Sequence, residues 1–214
     1  MKRMYFDLET AALPVEQLTG IMPEFEAAAN LKDPDKIAAS IASKKQSWID
    51  DCALRATTGR IIAASSCDGG GNEPEFHCSP DERTMLDILF SDMCNTITQG
   101  GHIYAWNLFG FDLPFLAQRS AMYGVPAFKT FTANYRGRWA WHEAFVDPMQ
   151  IWAGPYQRSD GASLKAVAGA LGLGIKSGSG KDFAKLLVAD PVAAKEYSLN
   201  DVRLLRGIVD RMGI

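Results

Sequence analysis

Residues 3–9 alternate between two kinds of side chain. The apolar set is Met4, Phe6 and Leu8, and the interleaved set is Tyr5, Asp7 and Glu9. Successive side chains of a β-strand point to opposite faces of the sheet, so this pattern predicts a strand with one face in the core. Asp7 and Glu9 would then project side by side from the other face.

The pattern after residue 57 predicts an α/β chain in which strands come early and helices late. Ser79–Glu82 has the form of a capping box, which would begin a helix that reaches about residue 99. The other predicted elements are strands 60–67 and 102–107, a helix from Asp112 to near Gly124, a β-rich region from about 128 to 147 with a hairpin turn at 135–139, and short helices around 163–172 and 181–188.

The C-terminal segment carries a strong helix signal. Asp190 is a good N-cap residue, and Pro191 suits the first helical position, where a missing N–H costs no intrahelical bond. In such a helix Tyr197 and Asp201 lie on one face, one turn apart. Apolar residues recur at helical spacing, at Val202, Leu205, Ile208, Val209 and Met212.

Residues 11–57 do not fit the strands and helices that follow them. Three prolines divide this segment into two helical pieces, the second of which begins at Asp33–Pro34. We therefore predict a single domain over 1–214 with a helical insertion at about 11–57. The insertion could pack on the sheet for stability, or it could act as a lid or arm with three side chains suited to a substrate, Lys44, Lys45 and Trp48.

Composition places the chain among single-domain α/β proteins. It has 214 residues, of which 47% are hydrophobic, enough for one substantial core. Four cysteines show no C-x-x-C spacing, so we expect reduced thiols rather than a zinc site. The N-terminus lacks an apolar signal-peptide core and no apolar run reaches membrane-spanning length, so we expect a cytoplasmic protein.

Acidic residues at three separated places are candidates for chemistry. Asp7 and Glu9 would repel each other on one strand face unless a cation lay between them. Mg²⁺ and Mn²⁺ prefer oxygen ligands such as carboxylates. Two such ions roughly 3.5–4 Å apart can activate a water and stabilise the leaving oxygen of a phosphodiester. Asp112 and Asp201 could complete such a site.

Each acidic position also has an ordinary structural explanation. Asp7 and Glu9 could line a solvated strand face. Asp112 stands just before Leu113–Pro114 and could cap a helix. Tyr197 and Asp201 could be a surface pair on a terminal helix.

The order of the motifs distinguishes these explanations. D-x-E at 7–9, N-x-x-x-F-D at 107–112 and Y-x-x-x-D at 197–201 together resemble the DEDD superfamily of 3′-5′ exonucleases. The resemblance is to the tyrosine-bearing (DEDDy) branch, since Glu196 stands where the other branch has histidine. It is greatest to the exonuclease domains of family B DNA polymerases, which implies an RNase H-like α/β fold with a central mixed β-sheet flanked by helices.

The resemblance also implies roles for individual residues. The family's metal ligands correspond to Asp7, Glu9, Asp112 and Asp201, which would hold two divalent cations, Mg²⁺ or Mn²⁺. Tyr197 would orient the attacking water, because a phenol with an ordinary pKa of about 10 is a poor base at neutral pH. The positions that contact the terminal nucleotides in the family are occupied by Leu8, Thr10, Asn107 and Phe111.

We therefore expect a stand-alone two-metal-ion 3′-5′ exonuclease. It would hydrolyse the 3′ ends of single-stranded nucleic acid, with DNA as the expected substrate, and release nucleoside 5′-monophosphates. An exoribonuclease of the same chemistry and a catalytically silent nucleic-acid-binding module are the alternatives. Because the formal net charge is −3, we expect local basic patches. The resemblance to polymerase exonuclease domains implies a DNA polymerase, or another replication or repair partner, acting in trans.

Overall fold

A five-stranded mixed sheet forms the centre of the protein. The computed structural model describes residues 2–132, 141–154, 163–174 and 180–214. The strands are β1 (Arg3–Ala12), β2 (Gly59–Asp68), β3 (Glu75–Cys78), β4 (His102–Tyr104) and β5 (Phe145–Val146), and their spatial order is β3-β2-β1-β4-β5. Strand β1 is central, antiparallel to β2 and parallel to β4, while β2 pairs antiparallel with β3 and β4 pairs parallel with β5.

Helices lie on both faces of this sheet. They are α1 (Val15–Leu18), α2 (Pro34–Cys52), α3 (Glu82–Thr98), α4 (Asp112–Met122), α5 (Ala127–Phe131), α6 (Pro148–Ala153), α7 (Leu164–Ala170), α8 (Phe183–Ala189) and α9 (Pro191–Met212), with a 3₁₀ turn at Gly180–Asp182. This arrangement confirms the predicted RNase H-like α/β fold with a mixed sheet flanked by helices.

The alternation in β1 divides the core into two layers. Phe6 and Leu8 are buried with side chains of α3 and α4 on one face. Tyr5 is buried with side chains of α7 and α9 on the other face. The acidic residues of β1 therefore follow Tyr5 onto the face that α9 covers.

The predicted start of α3 is wrong by two residues. The N-cap is Asp81, whose side chain accepts a hydrogen bond from the Arg83 N–H, while Ser79 Oγ accepts one from the Asp81 N–H. Glu82 does not form a capping box because it is buried and engaged elsewhere. Its carboxylate accepts hydrogen bonds from the Arg119 guanidinium and from the Ile61 N–H.

Three further expectations change in the structure. The sequence analysis missed β3, and the predicted strand 102–107 ends at Tyr104, so Asn107 lies in the turn that follows. The start of the predicted β-rich region is helix α5, followed by a bridge between Thr132 and Trp141. The predicted hairpin turn at 135–139 lies outside the described residues.

The 11–57 segment contains α1 and α2, and both the Asp33 cap and the Pro34 start of α2 are as predicted. Of the 19 residues of α2, only Cys52 is buried. No helix in the described part of the chain is both long enough and apolar enough to cross a membrane.

Candidate active site

Three carboxylates converge where β1 and α9 meet. Asp7, Glu9 and Asp201 each offer an oxygen atom, and these atoms lie within 4.8 Å of one another. Glu9 and Asp201 are buried, and Asp7 is half-buried. So close a group of acids in a poorly hydrated place is costly unless positive charge compensates it.

Helix α9 is held in register over β1 and β2 by both apolar and polar contacts. Its apolar stripe packs on Tyr5, and Ser65 Oγ of β2 donates a hydrogen bond of 2.9 Å to Ser198 Oγ. Ser65 is paired with Asp7 across the two strands. This contact places Asp201, one turn further along the same helix, beside the β1 carboxylates.

Tyr197 lies one turn before Asp201 and is buried, 6% exposed. Its ring packs on Phe183 of α8, with the ring centroids 5.9 Å apart. A side chain at Gly180 would come within 4.0 Å of the Tyr197 hydroxyl, so the backbone before α8 passes close to it. The phenol is thus fixed near the carboxylates and screened from bulk water.

Asp112 is linked to the same strand from the other side. It is the first residue of α4, whose N-cap is Phe111 with no side-chain capping bond. Its Oδ1 accepts a 3.3 Å hydrogen bond from the N–H of Leu8, the residue between the two acids of β1. The N-cap explanation for Asp112 therefore fails, because Asp112 is the first helical residue and its carboxylate reaches β1.

Asp112 is nearly fully buried, 3% exposed. Burial, and next the negative charge of Asp7, raise the pKa of the Asp112 carboxyl well above its ordinary value. It is not one of the three acids within 4.8 Å. The structure thus forms a close trio, with Asp112 electrostatically coupled to it through Asp7.

The turn between β4 and α4 is supported by a buried acid that lies outside the three sequence motifs. Asp147 accepts hydrogen bonds of 3.2 Å from the N–H groups of Asn107 and Phe109, and it also caps α6 through the Met149 N–H. Burial raises the pKa of its carboxyl above the ordinary value. The Asp147–Pro148 pair signals an N-cap in the sequence, but the bonds to a turn 40 residues earlier leave no local signal.

This support holds an unusual backbone conformation. Asn107 has a φ of 63°, in the left-handed region that asparagine tolerates better than most residues. A side chain at Gly110 would collide with the Asn107 amide group. The turn that delivers Phe111 and Asp112 is therefore specific to these residues.

Two of the predicted substrate contacts have clear positions. Leu8 is buried, 5% exposed, in the core against α3 and α4, so its side chain points away from the carboxylates. Thr10 follows an irregularity in the β1–β2 pairing, and its Oγ1 donates a 2.7 Å hydrogen bond to the carbonyl of Ala53. Both contacts with substrate remain predictions.

The donor set fits a hard divalent cation. Asp7, Glu9 and Asp201 supply carboxylate oxygens, the ligands that Mg²⁺ and Mn²⁺ prefer. Their ligand atoms are close enough to one another to bind a common ion. Asp112 has a second carboxylate oxygen beyond the one that accepts the Leu8 bond, so it could extend the site.

The chain was compared with known proteins and solved structures. No protein-family model matches it, and no curated protein does. It is similar to the family B DNA polymerase from the hyperthermophilic archaeon Pyrobaculum calidifontis, with a TM-score of 0.60 and 17% sequence identity. The match covers 99% of this chain but 24% of the polymerase chain, so this chain spans about a quarter of that protein. At this identity the likeness shows the fold alone.

Proposed function

We propose that this protein is a divalent-metal-dependent 3′-5′ exonuclease acting on single-stranded nucleic acid, with DNA as its substrate. The observation that supports the proposal most strongly is the convergence of Asp7, Glu9 and Asp201 within 4.8 Å, beside the buried Tyr197. The motif order that suggested the site in the sequence and the position of the three acids in the fold are independent observations.

The carboxylates would hold two cations, Mg²⁺ or Mn²⁺. When bound, such a pair lowers the pKa of a coordinated water and neutralises charge on the attacked phosphate and the leaving oxygen. Asp7, Glu9 and Asp201 bind and orient through their oxygens, and Asp112 completes the charge of the site. The leaving oxygen would be the 3′-oxygen of the preceding nucleotide, so the product is a nucleoside 5′-monophosphate.

Tyr197 would act as a positioning group. It is buried against Phe183, so its hydroxyl has a fixed location from which to donate a hydrogen bond to a water or a phosphate oxygen. A phenol keeps its proton near neutral pH, so Tyr197 orients the water and does not deprotonate it. Asn107 and Phe111, on the turn before Asp112, would contact the terminal nucleotide.

DNA is preferred over RNA in this proposal for one reason. The solved structure to which the fold is similar is that of a DNA polymerase. A polymerase or another replication partner in trans would be consistent with the same likeness. The net charge of −3 means that affinity for a phosphate chain must come from bound cations and local basic residues.

The test is digestion of 5′-labelled single- and double-stranded DNA and RNA in Mg²⁺ or Mn²⁺, with EDTA as the metal-free control. We expect a ladder that shortens from the 3′ end of single-stranded DNA, with no digestion in EDTA. Asp7→Ala should abolish the ladder, whereas Asp92→Ala, at an exposed position on α3, should not.

The outcomes separate the proposal from its alternatives. Faster digestion of RNA than of DNA would replace it with an exoribonuclease. Absence of digestion in a folded protein that still binds single strands would indicate a silent binding module. Digestion that survives Asp7→Ala would remove the carboxylate site from the explanation.

A further inference from the structure

A groove of about 330 Å³ lies between the end of the 11–57 segment and the start of α4, the helix that begins with Asp112. One wall is the turn at 54–57, which follows α2. The other wall includes Phe111, Pro114 and Gln118. The groove therefore lies between the 11–57 segment, which has no assigned role, and Phe111, the residue that immediately precedes Asp112.

Hydrogen bonds hold the turn at 54–57 and the residues on either side of it from three directions. Thr10 Oγ1 donates to the Ala53 carbonyl at 2.7 Å, which ties the turn to β1 just beyond Glu9. Arg119 of α4 donates to the Ala56 carbonyl at 3.0 Å. Thr58 Oγ1 donates to the Cys52 carbonyl at 3.0 Å. The wall thus has a fixed position relative to both β1 and α4.

Two side chains of this turn lie outside the core. Leu54 is 47% exposed, and Arg55 is exposed. Among the described residues that line the groove, Arg55 carries the only charge, and none is acidic. A groove without acids, beside a cluster of carboxylates in a protein of net charge −3, differs in charge from its surroundings.

Phe111 connects the groove to the site. Its ring is half-buried, with its centroid 5.4 Å from that of Phe115, so one part of it is anchored while another part is accessible. Phe111 precedes Asp112 in the chain and also lines the groove, so it is shared by the candidate site and the groove. Grooves that bind single-stranded nucleic acid combine cations, which pair with the phosphates, and aromatic rings, on which the bases stack. This groove offers both, together with an exposed apolar side chain.

We propose that this groove binds the nucleotide on the 5′ side of the scissile phosphate. Its base would rest on Phe111, Leu54 and Pro114, and its phosphate would pair with Arg55. This inference rests on the proposed exonuclease function and extends it to a second substrate position. It also gives the end of the 11–57 segment a role as the outer wall of the substrate path.

The test compares two substrates that differ in length. A 5′-labelled octathymidylate would occupy both the terminal position and the groove, whereas the p-nitrophenyl ester of thymidine 5′-monophosphate has only the terminal nucleotide. Arg55→Ala should raise KM for the octamer roughly 5- to 10-fold with little change in kcat. It should leave the ester unaffected and lower the slope of log KM against log salt concentration by about 0.7.

Matched variants control for folding and for general charge. Lys36→Ala removes an exposed cation from α2, outside the groove, and should behave as wild type. Arg55→Lys keeps the charge and should recover most of the octamer KM. Equal KM values for Arg55→Ala and Lys36→Ala on the octamer would overturn the proposal, as would equal losses of Arg55→Ala on both substrates.

A binding measurement distinguishes this failure from failure of the proposed function. Fluorescence anisotropy of the labelled octamer, with Ca²⁺ replacing Mg²⁺, needs no turnover. If wild type digests nothing, the exonuclease proposal fails. Weaker octamer binding by Arg55→Ala than by Lys36→Ala would then still support the groove, and equal binding would reject it.

Discussion

Helices α2 and α9 begin in the same way and end up in different surroundings. Each has an aspartate N-cap followed by proline at the first position, and each cap side chain accepts a backbone N–H bond. They have 19 and 22 residues, yet ten residues of α9 are buried and only Cys52 of α2 is. Similar local signals therefore start both helices without deciding where either one packs.

The difference in burial comes from the apolar residues that each helix can pack against the sheet. The stripe of α9 is continuous and fills the face of β1 that carries Tyr5. The large apolar residues of α2 before Cys52 are only half-buried. Some of the side chains that pack on them belong to the 11–57 segment itself. Phe25 packs on Trp48 with the ring centroids 6.3 Å apart, and Lys44 Nζ donates to the Glu26 carbonyl. Only the C-terminal end of α2, near Cys52, is tied to the sheet.

The structure shows core packing for one end of the 11–57 segment, and the alternative role as a lid or arm stays a prediction. Its end is part of the core, as Cys52 and Ala56 are buried. The residues of α2 before Cys52 are instead exposed or half-buried. Function should therefore depend on α9 throughout its length and on the 11–57 segment chiefly at its end.

The strongest test of this comparison replaces one aspartate on each helix with asparagine. Asp201→Asn removes a proposed metal ligand, so activity should fall by more than the roughly 10- to 100-fold that is typical of residues outside the ligand shell. Asp50→Asn changes an exposed aspartate of α2 that accepts a bond from Gln46, and activity should not change. Both are measured by digestion of single-stranded DNA.

A thermal readout accompanies this prediction. Added Mn²⁺ should raise the Tm of wild type and of Asp50→Asn, because a ligand that binds only the native state stabilises it. Asp201→Asn should show little or no rise. A normal rise in Tm for Asp201→Asn would place the ions elsewhere.

The second prediction concerns stability and has a smaller effect. Ile208 of α9 is fully buried, so Ile208→Ala should lower the free energy of unfolding by about 2–5 kcal/mol. Ile41 of α2 is half-buried, so Ile41→Ala should cost less than about 1 kcal/mol. Urea unfolding with unchanged m-values measures both. Similar costs for the two variants would mean that α2 is buried as deeply as α9.

The smallest expected effect comes from the two caps. Asp190→Ala should lower the global free energy of unfolding by about 1 kcal/mol, because α9 belongs to the core. Asp33→Ala should chiefly fray the first turn of α2, since a poorly packed helix end opens locally. Hydrogen exchange of the first amides of α2 measures this fraying, and a global loss as large as that of Asp190→Ala would contradict it.

Much of the framework could be predicted because its causes are local. The alternation of Phe6 with Asp7 gives a strand with two unlike faces, and the Asp190–Pro191 start gives a helix with Tyr197 and Asp201 on one side. Periods of two and 3.6 residues are properties of the backbone itself. They can be read from the sequence without knowing what packs against each element.

The failures have a common origin in contacts between distant residues. Glu82 was expected in a capping box, but it pairs with Arg119, 37 residues away. Asp112 was open to explanation as a cap, but it accepts a bond from Leu8, 104 residues away. Local propensity carries no information about such partners.

The sequence alone determined the strand that bears Asp7 and Glu9, the helix that bears Asp201, and the kind of chemistry that these acids suit. The tertiary structure alone decided that the three acids meet, that Asp147 supports the turn before Asp112, and that residues 54–57 form a groove with Phe111. The reason is that backbone periodicity acts over a few residues, whereas a site is made where elements far apart in the chain pack together.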